Sequence, residues 1–205
     1  MEAVAPTGIK RVKYTTDIDR STVTMELTMR RNAVGDVLTI NVKDGAKVVA
    51  TDTAPVASGS VVTLPIKKAK LWAPGSPFLY DVEFILKNAA GQVIDKATSY
   101  FGMRKIHTVG NKIYLNNEPF YQRLVLDQGF YPDGIWTAPS DAALKKDIEL
   151  SMAAGFNGAR LHQKVFEERF HYWADKLGYL TWGEAPSWGF DANNIESARN
   201  YIAEW

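Results

Sequence analysis

The feature that most limits what this chain can fold into is a change of hydrophobic period near residue 111. Before it, apolar and polar residues alternate. Val23, Met25, Leu27 and Met29 fall on one face, with Thr22, Thr24, Glu26 and Thr28 on the other. Leu38, Ile40 and Val42 repeat the scheme, as do Val62, Leu64 and Ile66, and then Val82, Phe84 and Leu86. A period of two with one apolar face makes a half-buried strand, because successive side chains of an extended chain point to opposite sides. Turn-formers part the runs at Asn32 to Gly35, Lys43 to Gly45, Ser58 to Gly59 and Asn88 to Gly91. Short strands so spaced predict an antiparallel β-sandwich of immunoglobulin-like type over residues 1–106.

From Asn111 onward the pattern is different. Asn116 and Asn117 separate two short apolar runs and tolerate the left-handed conformation that a tight hairpin needs. Gln122 to Leu126 reads as a strand. Ser140 caps a helix with the stripe Leu144, Ile148 and Met152, and Gly155 ends it. Asp141 stands four residues before Lys145, the favourable order for a helical ion pair. Phe156 to His162 is the next strand. Phe166, Phe170, Trp173 and Leu177 then form one helical face, and Gly178 stops that helix. Tyr179 to Trp182 makes a third strand, and Ile195 to Trp205 begins another helix. Strands alternating with helices imply a parallel sheet over residues 107–205. By pattern alone this is either an open doubly wound sheet or the start of a barrel. The run Asp127, Gln128, Gly129 holds a single glycine, which argues against a phosphate-cradling loop.

Composition removes several function classes. Of 205 residues 46% are hydrophobic, which suits one large or two modest domains. The formal charge is +1 with both signs interspersed, so no nucleic-acid footprint is expected. No apolar run is long enough for a membrane helix. The chain has no cysteine, which excludes disulfides, thiolate metal sites and a cysteine nucleophile. Met1 to Pro6 has no signal-peptide character, and cytoplasm and periplasm both remain open.

In parallel α/β architectures, catalytic groups gather where strands end. After the first strand, Asp127 and Gln128 open a loop rich in aromatics, with Phe130 and Trp136. It reads either as an irregular surface loop or as the wall of a sugar subsite, where Asp127 accepts from hydroxyls and a ring stacks on a pyranose face. After the second strand, Arg160 and His162 lie two apart and so point to one side. After the third come Trp182, Glu184 and Trp188. Glu184 is open to four readings: general acid, metal ligand, a group orienting His162, or a cap of the following loop. His171 is expected on the solvated side of its helix. Glycoside hydrolysis needs two carboxylates, about 5 Å apart in retaining enzymes. Asp127 and Glu184, on strands that are not neighbours, are poor candidates for such a pair.

Three motifs resemble glycoside hydrolase family 2, the family of β-galactosidases, β-glucuronidases and β-mannosidases. Leu71-Trp72-Ala-Pro74-Gly-Ser-Pro77-Phe-Leu79-Tyr80 is similar to the family's Trp-x-Pro-x-x-Pro-x-Leu-Tyr signature. Phe101-Gly102-Met-Arg104, followed by Leu115-Asn116-Asn117-Glu-Pro119, is similar to its Phe-Gly-x-Arg exit and Leu-Asn-Gly-x-Pro hairpin. Gly155-Phe-Asn157 with Arg160, then Ala174-Asp175-Lys-Leu-Gly178, then Trp182-Gly-Glu184, resembles the start of its barrel.

The resemblance implies an immunoglobulin-like sandwich followed by the first three β/α units of a (β/α)8 TIM barrel. It implies a retaining β-glycosidase, β-galactosidase-like, that acts on a carbohydrate substrate and needs no organic cofactor. It also implies a sugar-binding jelly-roll domain before Met1, and both catalytic glutamates beyond Trp205, so that this chain by itself is expected to be inactive. Arg160 matches the arginine ending the family's second strand. Glu184 matches the acidic residue ending the third, which in some members helps to hold a divalent ion. His162 follows Arg160 by two positions where the family's histidine follows by three. Asp127 and Gln128 replace an Asn-x-His run. Asp127, Gln128, Arg160, His162, Trp182, Glu184 and Trp188 are therefore expected to line or support a sugar pocket. The competing readings are a β-glucuronidase or β-mannosidase of the same family, and a non-catalytic carbohydrate-binding or interaction module. Oligomeric state stays open.

Overall fold

The computed structural model describes residues 6–191 and 193–204. The alternating runs become strands β1 (Gly8–Asp17), β2 (Thr22–Arg31), β3 (Val37–Asp44), β4 (Lys47–Pro55) and β5 (Val61–Pro65). They continue as the two-residue pair β6 (Trp72–Ala73) and β7 (Ser76–Pro77), then β8 (Tyr80–Lys87) and β9 (Val93–Phe101). One antiparallel sheet has the order β1-β2-β5 and the other β4-β3-β8-β9. The residues expected on the apolar faces meet between the two sheets. Val23, Met25, Leu38, Ile40, Val42, Val82, Phe84 and Leu86 are all within 3% of complete burial and belong to one core. This is a three-plus-four sandwich of immunoglobulin-like kind.

Three further short strands, β10 (Ile106–Val109), β11 (Lys112–Leu115) and β12 (Glu118–Pro119), form an antiparallel meander. Asn116 and Asn117 make its tight turn, with φ of 54° and 70°, as a two-residue hairpin twisted to match its strands requires. Both side chains also do something a glycine could not. Asn116 donates to the Trp72 carbonyl at 2.9 Å and accepts from the Lys105 amide at 3.0 Å. Asn117 donates to Asp19 at 2.7 Å. These bonds tie the meander to the sandwich, and the first compact unit runs to Phe120 while the second begins at Tyr121.

The second unit alternates strand and helix: β13 (Leu124–Asp127), α1 (Asp141–Ala153), β14 (Gly158–Leu161), α2 (Glu168–Leu177), β15 (Leu180–Gly183) and α3 (Ile195–Glu204). The three strands are parallel, in the order β13-β14-β15. Ser140 caps α1, its hydroxyl accepting from the Ala143 amide at 3.1 Å. Gly178 ends α2 at φ 79°, a left-handed cap that glycine adopts without steric cost. Leu144, Ile148, Phe166, Phe170 and Ala174 bury against Ala159 and Leu161 of β14. Phe166 stands in the loop before α2, so Ala174 completes the buried stripe of the helix itself.

Two local expectations change. Asp141 pairs with Arg169 of α2 through two bonds of 2.6 and 3.0 Å, not with Lys145. The guanidinium fork matches a carboxylate where an ammonium cannot, and Lys145 instead reaches Glu149 at 3.3 Å. His171 is half-buried rather than solvated, and burial holds its imidazole below the usual value.

At the amino ends of the strands sits Asn157, 8% exposed. Its side chain accepts from the Arg123 amide at 2.8 Å and donates to the Tyr121 carbonyl at 3.0 Å. Its carbonyl takes the Leu180 amide at 2.9 Å. One asparagine thus joins the starts of all three strands.

Candidate functional site

The opposite, carboxyl ends of β13, β14 and β15 carry the polar groups. On β14, Ala159 and Leu161 are buried against the helices. Arg160 therefore faces the other way, and His162, two residues on, shares its side. Arg160 lies level with Trp182 of β15 in the ladder. Its Nε donates to Glu184 Oε2 at 2.8 Å. The other carboxylate oxygen, Oε1, lies 3.8 Å from His162 Nε2. On the far side of the imidazole, Gln128 Nε2 meets Nδ1 at 2.8 Å. With the amide nitrogen donating, Nδ1 accepts, and the ring proton of the neutral imidazole sits on Nε2, facing Glu184. The four side chains form one continuous polar line across three strand ends.

Electrostatics follow from that line. The hydrogen bond from Arg160 holds the Glu184 carboxyl below its usual value, against the opposing effect of burial. The Gln163 amide also donates to this carboxylate. Gln163 has φ 52°, an uncommon conformation for a residue with a side chain, and it turns the chain just after His162. Next to it, the backbone of Lys164 bridges that of Glu184.

Asp127 is placed elsewhere. Val125, two residues earlier on β13, packs into the helix-side core, and Asp127 follows it to that side. Its carboxylate turns back onto the Gly129 amide at 2.7 Å. Burial raises the Asp127 pKa, with Asp147 and Glu167 raising it further and Lys164 opposing. Trp182 is 56% exposed and Trp188 87% exposed. Trp188 lines an open cavity of about 460 Å³ with Phe190, Asn194, Glu196, Asn200 and Tyr201, of which Arg160, His162 and Glu184 form no part.

Sequence reasoning missed Lys164. Its side chain is 8% exposed, and its ammonium donates to the carbonyls of Gly129 at 3.0 Å and Trp136 at 2.9 Å. Tyr131, whose hydroxyl donates to Asp147 at 2.6 Å, was likewise unmarked. Among the described residues no group of three or more histidine, aspartate or glutamate side chains is arranged to hold a metal ion.

What the arrangement is suited to do is bind and orient. A carboxylate, an imidazole, a guanidinium and an amide on one side suit the hydroxyls of a sugar, and exposed indoles suit its CH-rich faces. Glu184 is held by Arg160 on the side away from the helices and Asp127 lies toward them, so the two do not face each other as a carboxylate pair flanking a glycosidic bond would.

Comparison with known proteins agrees with this picture. Residues 7–104 match the model of Glycosyl hydrolases family 2. A β-galactosidase of Lactococcus lactis is 29% identical over 116 residues, 57% of this chain and 12% of that protein. A β-glucuronidase of Paenibacillus borealis is 30% identical over 139 residues, 67% of this chain and 23% of that protein. The chain thus spans between about an eighth and a quarter of the length of these curated relatives. A family 2 glycosyl hydrolase from Bacteroides cellulosilyticus superposes with a TM-score of 0.77 at 23% identity, over 88% of this chain and 27% of that one. A β-glucuronidase from Ruminococcus gnavus gives 0.79 at 18% identity, over 98% of this chain and 34% of that one. These likenesses speak for the fold, while the family model and the curated relatives speak for descent. Together they identify residues 7–104 as a glycoside hydrolase family 2 domain and show that the chain shares the fold of that family's members.

Proposed function

We propose that the chain provides the immunoglobulin-like sandwich and the first three β/α units of the barrel of a retaining β-glycosidase. That enzyme releases a non-reducing terminal β-sugar through a covalent glycosyl-enzyme. The observation that carries this reading is the line Arg160, Glu184, His162 and Gln128 across three adjacent parallel strand ends. In a (β/α)8 barrel that face holds the active site. The line acts as one wall of the pocket, with Trp182 and Trp188 as stacking surfaces and Asp127 as support from below. The acid/base and the nucleophile are carried by strands other than these three.

The sugar we favour is a β-galactoside. Arg160's charge is already matched by Glu184, which suits neutral hydroxyls better than a uronate carboxylate. A β-glucuronide is the second reading, supported by the Paenibacillus borealis relative.

The test is a panel of nitrophenyl β-galactoside, β-glucuronide and β-mannoside given to the full-length gene product and to this chain alone. Hydrolysis of the galactoside by the full-length protein only is the expected result. Preference for the glucuronide installs the second reading. Carbohydrate binding without turnover of any glycoside would replace the enzyme by a binding module.

A further inference from the structure

We propose that Lys164 is a positioning residue of this site, whose buried ammonium gathers the two limbs of the loop between β13 and α1 and so sets Gln128 against His162. The kinetic part of this proposal rests on the glycosidase reading; the structural part does not.

A lysine that is 8% exposed is unusual, because burial strips water from its charge. It persists only where acceptors replace that water. Here the acceptors are the Gly129 carbonyl at the start of the loop and the Trp136 carbonyl near its end. Glu167 Oε2 adds a charge at 3.6 Å, and the ammonium lies 4.7 Å from the centre of the Phe166 ring. Between the two limbs, Tyr131 and Ile135 exchange backbone hydrogen bonds of 2.8 and 2.9 Å. The loop therefore closes on itself and then onto one ammonium.

The consequence falls on Gln128. On its amino side, the Asp127 carbonyl accepts the His162 amide at 2.8 Å. On its carboxyl side, Gly129 is held by Lys164. The backbone of Gln128 is fixed from both directions, which is what lets its amide meet His162 Nδ1 at 2.8 Å. The lysine's own backbone bridges Glu184. One residue therefore connects the loop after β13 to the end of β15, the two sides of the polar line. The fit around the ammonium is close. A Cβ on Gly129, whose φ is 58°, would lie 2.7 Å from Lys164 Nζ and 2.9 Å from the Phe166 ring.

The experiment uses the full-length protein and three variants, Lys164→Met, Lys164→Arg and Gly129→Ala. Hydrogen exchange reads the loop amides Gly129, Tyr131 and Ile135, with the amides of Ala159, Arg160 and Leu161 as the folded reference. In Lys164→Met the loop amides should exchange at least about tenfold faster while the β14 amides keep their protection. On the hydrolysed aryl glycoside, KM should rise about tenfold with kcat little changed, the mark of binding lost equally from ground and transition states. Lys164→Arg should recover part of both effects. Gly129→Ala should reproduce them with the lysine intact, which keeps the question decidable if Lys164→Met does not fold.

Loop exchange unchanged in Lys164→Met and Gly129→Ala would overturn the proposal. So would loss of protection in β14 together with the loop in both variants, or a fall in kcat with KM unchanged, since each marks a merely structural residue. Should the wild-type protein turn over no aryl glycoside, the glycosidase reading fails, and the exchange measurements alone still decide whether Lys164 holds the loop.

Discussion

Arg160 on β14 donates from Nε to Glu184, just past the end of β15, at 2.8 Å. The bond runs across two parallel strands on the side away from the helices. It does two things at once: it neutralises the guanidinium and lowers the proton affinity of the carboxyl.

Acid should remove the contribution of this ion pair to stability. Because the Glu184 pKa is lowered in the folded state, its stabilisation is fully present above the ordinary glutamate value of about 4.3. It is lost as pH falls through the lowered folded value. Arg160→Met should therefore reduce stability at neutral pH and weaken the loss on acidification. Urea unfolding followed by tryptophan fluorescence reads this directly, since Trp136, Trp173, Trp182, Trp188 and Trp205 all follow residue 121 against Trp72 before it.

Asp127 should behave in the opposite sense. Burial raises its pKa, so the folded state keeps the proton to higher pH than the unfolded chain does. Stability is lost as pH rises from the ordinary aspartate value through the raised folded one. Asp127→Asn retains an acceptor for the Gly129 amide and removes the charge. It should stabilise the second unit at neutral pH by no more than about 1 kcal/mol, solvent screening keeping the effect small. A lowered urea midpoint would show that the charge is needed.

Asn157→Ala should cost about 2–3 kcal/mol, because it strips partners from the Arg123 amide and the Tyr121 carbonyl at a buried position. The loss should appear in the tryptophan signal, and β13 amides should lose protection before those of the sandwich.

Asn116 separates turn geometry from clasp. Asn116→Gly keeps the left-handed φ at no steric cost but removes two hydrogen bonds, and should cost about 1–2 kcal/mol. Asn116→Ala should cost more, by the strain of a Cβ at positive φ. Equal losses would mean the side-chain bonds carry all of the effect.

How much of this was legible in the sequence depends on the range of the interaction. The sandwich strands were, because alternation is local: Val23 to Met29 declares its face without knowing its partner. The side shared by Arg160 and His162 was legible for the same reason. That rule, applied from Val125, would also have put Asp127 on the core side of β13. The aromatic loop behind it drew attention to its residue types rather than to its phase. Lys164 was not legible. A lysine in a sequence reads as solvated, and this one is buried only because carbonyls 35 and 28 residues away come to it. The Asp141 partner was missed likewise, since the helical spacing pointed to Lys145 while the guanidinium of another helix lay closer to hand. The asparagines of the hairpin were legible as a turn and not as a clasp.

The proposed role of the Arg160 and Glu184 wall is to serve a β-glycoside pocket. It is tested most directly by kcat/KM for full-length wild type and Arg160→Met on nitrophenyl β-galactoside, with the first-formed sugar identified by proton NMR. Wild type should release the β-anomer first, and the variant should lose at least about tenfold in kcat/KM. No hydrolysis by wild type, release of the α-anomer first, or a variant as active as wild type would contradict it.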